Sequence, residues 1–131
     1  MVVISIIGVM AGMAIPIFTN AMENGRKNEA IANLNAIYIG EKIFYQNNSR
    51  QYWPLGAPVR TPGSLASINT NLGVDLIPRD FWYCVSYTPS ATPALRSFRA
   101  WAVRTNAANS PQLCIDQTGT LSDPCTQGLV C

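Results

Sequence analysis

Met1-Val-Val-Ile-Ser-Ile-Ile-Gly-Val-Met-Ala-Gly-Met-Ala-Ile-Pro-Ile-Phe18 opens a run that reaches Met22 without a charged side chain. As a helix, such a run spans roughly 33 Å, close to the ~30 Å hydrocarbon thickness of a bilayer. A helix apolar on every face needs a large protein or a membrane around it. The remainder of this 131-residue chain is too short to wrap one. A cleaved secretory signal fits badly: no Lys or Arg precedes the run, and no change to mature sequence follows Ala11 to Ala14. Something other than the chain's own core is expected to cover this segment.

The run carries its own punctuation. Gly8 and Gly12 have the small-xxx-small spacing that lets helix backbones approach closely in an apolar medium. Pro16 lacks the N–H that would have met the carbonyl of Gly12. Gly8 to Pro16 is thus where the helix is expected to bend or locally melt. A simple anchor has no use for that, whereas a segment that moves from lipid to packing against copies of itself does.

The helical pattern continues past Glu23. Ala30, Ile31, Leu34, Ile37, Tyr38, Phe44 and Tyr45 recur at three- and four-residue spacing and form an apolar stripe, with Glu23, Lys27, Asn28, Asn35 and Lys42 mostly opposite. Glu23 and Lys27 are spaced as an i,i+4 pair in the favourable order. The helix is expected to end near Asn47, where Asn47-Asn48-Ser49 breaks it. The chain therefore divides into an apolar helix half, residues 1–22, and a globular domain, residues 23–131, folded on the second helix half.

Residues 49–80 read as a long ordered connection punctuated by Pro54, Pro58, Pro62 and Pro78. It holds an aromatic plug at Tyr52-Trp53 and a helical turn at Ser64-Leu-Ala-Ser-Ile68. Three strands follow. Phe81–Tyr87 is aromatic and β-rich. Ser97–Arg104 alternates, with Phe98, Ala100 and Ala102 on one face, small enough for close approach of the helix, and Arg99, Trp101 and Val103 on the other. Leu113–Asp116 is the third, after a turn at Asn106–Pro111. The stretch from Leu121 to Cys131 reads as irregular and pinned by cysteines. The fold class is α+β: a long amino-terminal helix packed on a small antiparallel sheet of three to four strands.

Charged residues make up 12% of the chain and the net charge is +2, which argues against a dedicated nucleic-acid binder. There is no histidine, so Ser-His-Asp and Cys-His sites are excluded, and no glycine loop cradles a phosphate. The chemistry expected is non-enzymatic, with no cofactor and no metal. Asp116 and Asp123 are the residues to watch for a calcium site. Arg96, Arg99 and Arg104 could line one sheet edge and touch nucleic acid, although solvated edge charges that block strand addition are the plainer and favoured account of them. Cys84, Cys114, Cys125 and Cys131 contain no C-x-x-C pair and read as two disulfides of an oxidising compartment. Cys84 and Cys114 fall on the first and third strands of a meander, roughly 9–10 Å apart. That exceeds the ~7 Å Cα limit of a disulfide, so at least one of them is expected to reach Cys125 or Cys131. Asn47-Asn48-Ser49 matches a glycosylation sequon.

The stretch from Met1 to Pro16, followed by Ile17-Phe18 and a polar helix, resembles the amino-terminal helix of type IV pilins and of the pseudopilins of type II secretion. The resemblance is close from Met1 to Tyr45 and looser over Tyr52–Pro54, Phe98–Ala102 and Ile115–Gly119. It implies the type IV pilin fold and a structural subunit of a helical homo-oligomeric filament on the cell surface. It also implies an inner-membrane pool before assembly, with prepilin peptidase, methylation of the new terminus and a pilus assembly machinery as partners. Gly8, Gly12 and Pro16 then fall in the segment that melts in assembled pili. Met1 corresponds to a position about six residues into the family's mature segment, so the family's cleavage site and buried glutamate would precede it. The same resemblance accommodates a major pseudopilin of type II secretion, or a minor or DNA-uptake pilin using the arginine edge.

Overall fold

The computed structural model describes residues 2–105 and 113–125, without the side chains of Val2 and Ala14. The turn expected at Asn106–Pro111 and the residue Cys131 lie outside the described residues.

The apolar run and the stripe form one helix, α1, Val2–Asn47. It ends where Asn48, Ser49 and Arg50 turn, with Ser49 and Arg50 at positive φ of 52° and 60°. Strand β1 (Val59–Arg60), helix α2 (Leu65–Leu72), β2 (Phe81–Thr88), β3 (Ser97–Arg104), β4 (Leu113–Asp116) and β5 (Leu121–Ser122) follow. The strands form one antiparallel sheet in sequential order, β1-β2-β3-β4-β5.

Five strands exceed the three to four expected. The two additions, β1 and β5, are two residues each. Segments so short carry no readable alternation, and a neighbour's free edge induces their pairing. Leu121–Ser122 thereby corrects the reading of the tail as wholly irregular. The single turn expected at 64–68 is longer, running to Leu72 and closing on Gly73 in the left-handed conformation at φ 62°.

The core lies between α1 and one face of the sheet. Ala30, Leu34 and Ile37 meet Tyr83, Val85, Ala100, Ala102, Leu113 and Ile115, with Ile68, Leu72 and Leu76 closing one side. The small side chains Ala100 and Ala102 are fully buried under the helix. Gly40 is demanded by packing: a Cβ there would lie 2.5 Å from the carbonyl oxygen of Leu72, so α2 crosses α1 at backbone contact. The opposite face of the sheet is buried at its centre. Trp101, 1% exposed, is buried with Cys84 and Cys114, and Cys125 packs against them.

Candidate functional site

Among the described residues, none covers the first helix half. Val3, Ile4, Ile7, Val9, Met10, Met13, Ile15, Ile17 and Phe18 are all exposed, Ile4 at 74%. By length and composition α1 can cross a membrane. Gly8 and Gly12 face open space: a Cβ at either would meet nothing within 4 Å. Unlike Gly40, they answer to no packing need among the described residues. The helix is continuous through Pro16, whose carbonyl accepts a hydrogen bond from the Thr19 hydroxyl at 3.0 Å.

Immediately behind the uncharged run sits a collar of ion pairs. Arg104, at the end of β3, donates to both carboxylate oxygens of Glu23, at 3.1 Å for Oε2. Arg26 lies 3.6 Å from Glu23 and 3.3 Å from Asp80, just before β2. Lys27 is paired with Asp123, just after β5. The i,i+4 reading of Glu23 with Lys27 is thereby corrected: both side chains reach across to the domain. Exposed pairs like these each stabilise by about 1 kcal/mol or less. Their effect is positional, since the three charged residues Glu23, Arg26 and Lys27 of α1 each hold a different part of the domain. The apolar half therefore starts abruptly where the domain ends.

Cys114 is bonded to Cys125, with Cα atoms 5.6 Å apart. The bond ties β4 to the segment after β5 over the outer sheet face. Cys84 is also disulfide-bonded, and it is separated from Cys114 by Trp101, which pairs with both in register. Arg96, Arg99 and Arg104 do not form one free edge. Arg104 is held by Glu23, while Arg96, at the opposite end of β3, binds the carbonyls of Ser49, Arg50 and Ser90. Arg99 lies over the Trp101 ring at 5.9 Å. Asp116 and Asp123 are engaged separately. One oxygen of Asp116 accepts from Thr118 and Thr120, and Asp123 is paired with Lys27. Burial opposes the charge of Asp116, but those hydrogen bonds and Arg99 hold its carboxyl below the ordinary value. Among the described residues no three His, Cys, Asp or Glu side chains gather as metal ligands.

One residue was missed in the sequence. Glu41 is fully buried. Its Oε2 accepts the backbone N–H of Trp53 at 2.9 Å, while Oε1 has no partner among the described residues. Burial raises its pKa to about 8, against the smaller opposite pull of that hydrogen bond. The signal was present: Ala30, Leu34, Ile37 and Glu41 continue one helical period. A carboxyl on the core stripe fastens the start of the long connection to α1. There Tyr52 stacks on Tyr45 at 4.5 Å, and Trp53 is buried.

The described residues form an α+β domain carried on a helix whose uncharged half they leave exposed. A 50-residue segment is 38% identical to the "Type IV major pilin protein PilA" of Myxococcus xanthus (strain DK1622), covering 38% of this chain and 23% of that protein. The long apolar amino-terminal helix fits the type IV pilin family. No protein-family model and no solved structure matches the chain.

Proposed function

We propose that the chain is a structural, non-enzymatic subunit of a type IV pilus filament. In this reading it is held in the inner membrane by residues 1–22 and polymerises into a surface filament when those helices leave lipid and bundle. The observation that carries the reading is the exposed apolar half of α1, cut off sharply at Glu23 by ion pairs to the domain. The likeness to a type IV major pilin supports it. Transfer from lipid to a helix bundle exchanges one apolar surrounding for another, so association rests on close packing rather than on the hydrophobic effect. Gly8 and Gly12, with open space above them, permit such packing, and Pro16 weakens the ladder where the helix would melt. Extraction from the membrane is work for an assembly machinery, and a prepilin peptidase would act on the precursor. Electron microscopy of cells lacking the gene tests the reading. Surface filaments should vanish and return on complementation; filaments unchanged by the deletion would refute it.

A further inference from the structure

A cavity of about 340 Å³ opens between β1, the start of β2 and the segment before it. Arg60, Arg79, Pro62, Pro78, Phe81 and Trp82 line it, and among the described residues no carboxylate does. Arg60 is stacked over the Trp82 ring at 5.0 Å. The strand carrying Arg60 is fixed at this point by Thr61, whose N–H donates to the Tyr83 carbonyl at 2.9 Å and whose hydroxyl accepts from the Tyr83 N–H at 2.8 Å. Among the described residues neither Arg60 nor Arg79 has an ion-pair partner, whereas Arg26 and Arg104 nearby are paired with carboxylates. Asp80, the carboxylate adjacent to Arg79, is already taken by Arg26. Among the described residues, two guanidiniums without a carboxylate partner thus share one cavity with an indole, walled by prolines, Phe81 and two threonines.

Its height on the molecule is fixed by the collar. Phe81 pairs with Arg104, which grips Glu23. Arg79 and Phe81 flank Asp80, which grips Arg26, and Thr105, also on the cavity wall, donates to the Asp80 carbonyl at 2.9 Å. Arg26 lies four residues beyond Met22, roughly 6 Å along the helix. The headgroup layer outside the hydrocarbon is roughly 5–8 Å thick on each side of a bilayer. When residues 2–22 span lipid, the cavity lies at headgroup level. Arginine forks match phosphate geometry, and tryptophan favours the membrane interface.

We propose that this cavity binds the phosphate of an anionic phospholipid headgroup while the subunit resides in the bilayer, an inference that rests on the membrane-storage reading above. It holds the domain against the membrane surface, and the contact is broken when the subunit is extracted.

The test uses the full chain in nanodiscs of phosphatidylcholine with a minority of phosphatidylglycerol. Lipid retained after detergent extraction is counted by native mass spectrometry. The chain should retain phosphatidylglycerol preferentially. Arg60→Gln with Arg79→Gln should cut that retention by roughly ten- to thirtyfold, the worth of two basic contacts at a membrane surface. Arg79→Gln alone, which removes an exposed side chain, should give a partial loss without touching the fold. Lys42→Gln with Arg50→Gln, the same charge change at the far end of the domain, should leave retention intact. Retention indifferent to Arg60 and Arg79, or lowered equally by the far-end control, overturns the proposal. Displacement of the lipid by millimolar inorganic phosphate assigns the cavity to free phosphate and overturns it as well. Failure of the chain to enter the nanodiscs would instead sink the membrane-storage reading, and this proposal with it.

Discussion

Glu41→Gln should remove a pH dependence of stability that the wild-type domain shows between about pH 5 and pH 7. Glu41 is buried and its folded-state pKa is about 8, against an ordinary 4.5. An acid whose pKa is raised by folding binds its proton more tightly in the folded state. Its stability contribution is therefore lost as pH rises above the unfolded value, by up to about 1.4 kcal/mol per pH unit. Across that window the two pKa values give a loss of about 2–3 kcal/mol. Other groups are poorly placed to mimic it. The chain has no histidine, and Asp116, whose pKa is lowered by folding, loses its contribution only as pH falls into the acid range. Glutamine retains an acceptor for the Trp53 N–H but does not titrate. Urea unfolding of the full chain in a non-ionic detergent, followed by tryptophan fluorescence, measures both proteins. The wild type should lose stability from pH 5 to pH 7 while Glu41→Gln stays nearly flat. Equal slopes in the two proteins would refute the argument.

The glycines of α1 should separate by role. Gly40→Ala forces a Cβ to within 2.5 Å of the Leu72 carbonyl oxygen and should cost about 1–3 kcal/mol as overpacking. Gly25→Ala meets open space and should gain about 0.5–1 kcal/mol in helix propensity; urea midpoints distinguish the two. Gly8→Leu with Gly12→Leu should leave the urea midpoint of the domain unchanged yet abolish filaments in complemented cells, because no contact among the described residues needs either glycine. Cys114→Ser with Cys125→Ser opens a loop of sequence separation 11 and should cost about 2–4 kcal/mol, read as a lower thermal midpoint by circular dichroism.

The parts of the fold legible in the sequence are those set by periodicity. The extent of α1 follows from an unbroken apolar run joined to a three-to-four stripe, and Phe98, Ala100 and Ala102 mark the helix-facing side of β3 by simple alternation. What escaped depends on partners that only the folded chain brings into place. Val59–Arg60 and Leu121–Ser122 become strands only because β2 and β4 offer edges. Glu23 and Lys27, adjacent on one helix face, turn instead to Arg104 and Asp123, which the fold carries to them. Glu41 was hidden by residue type, since a carboxyl at a core position contradicts its polarity and is tolerated only with the Trp53 N–H in place. The candidate site was legible as composition in residues 1–22. The collar that ends it, and the cavity behind the collar, needed three dimensions.

The most direct test of the central claim is a helical reconstruction of surface filaments from cells expressing the chain. The account predicts filaments built of this subunit, with residues 3–22 bundled about the axis, Gly8 and Gly12 at helix contacts, and the sheet outermost. Filaments built from another chain, or a reconstruction in which residues 3–22 lie outside the core, would contradict it.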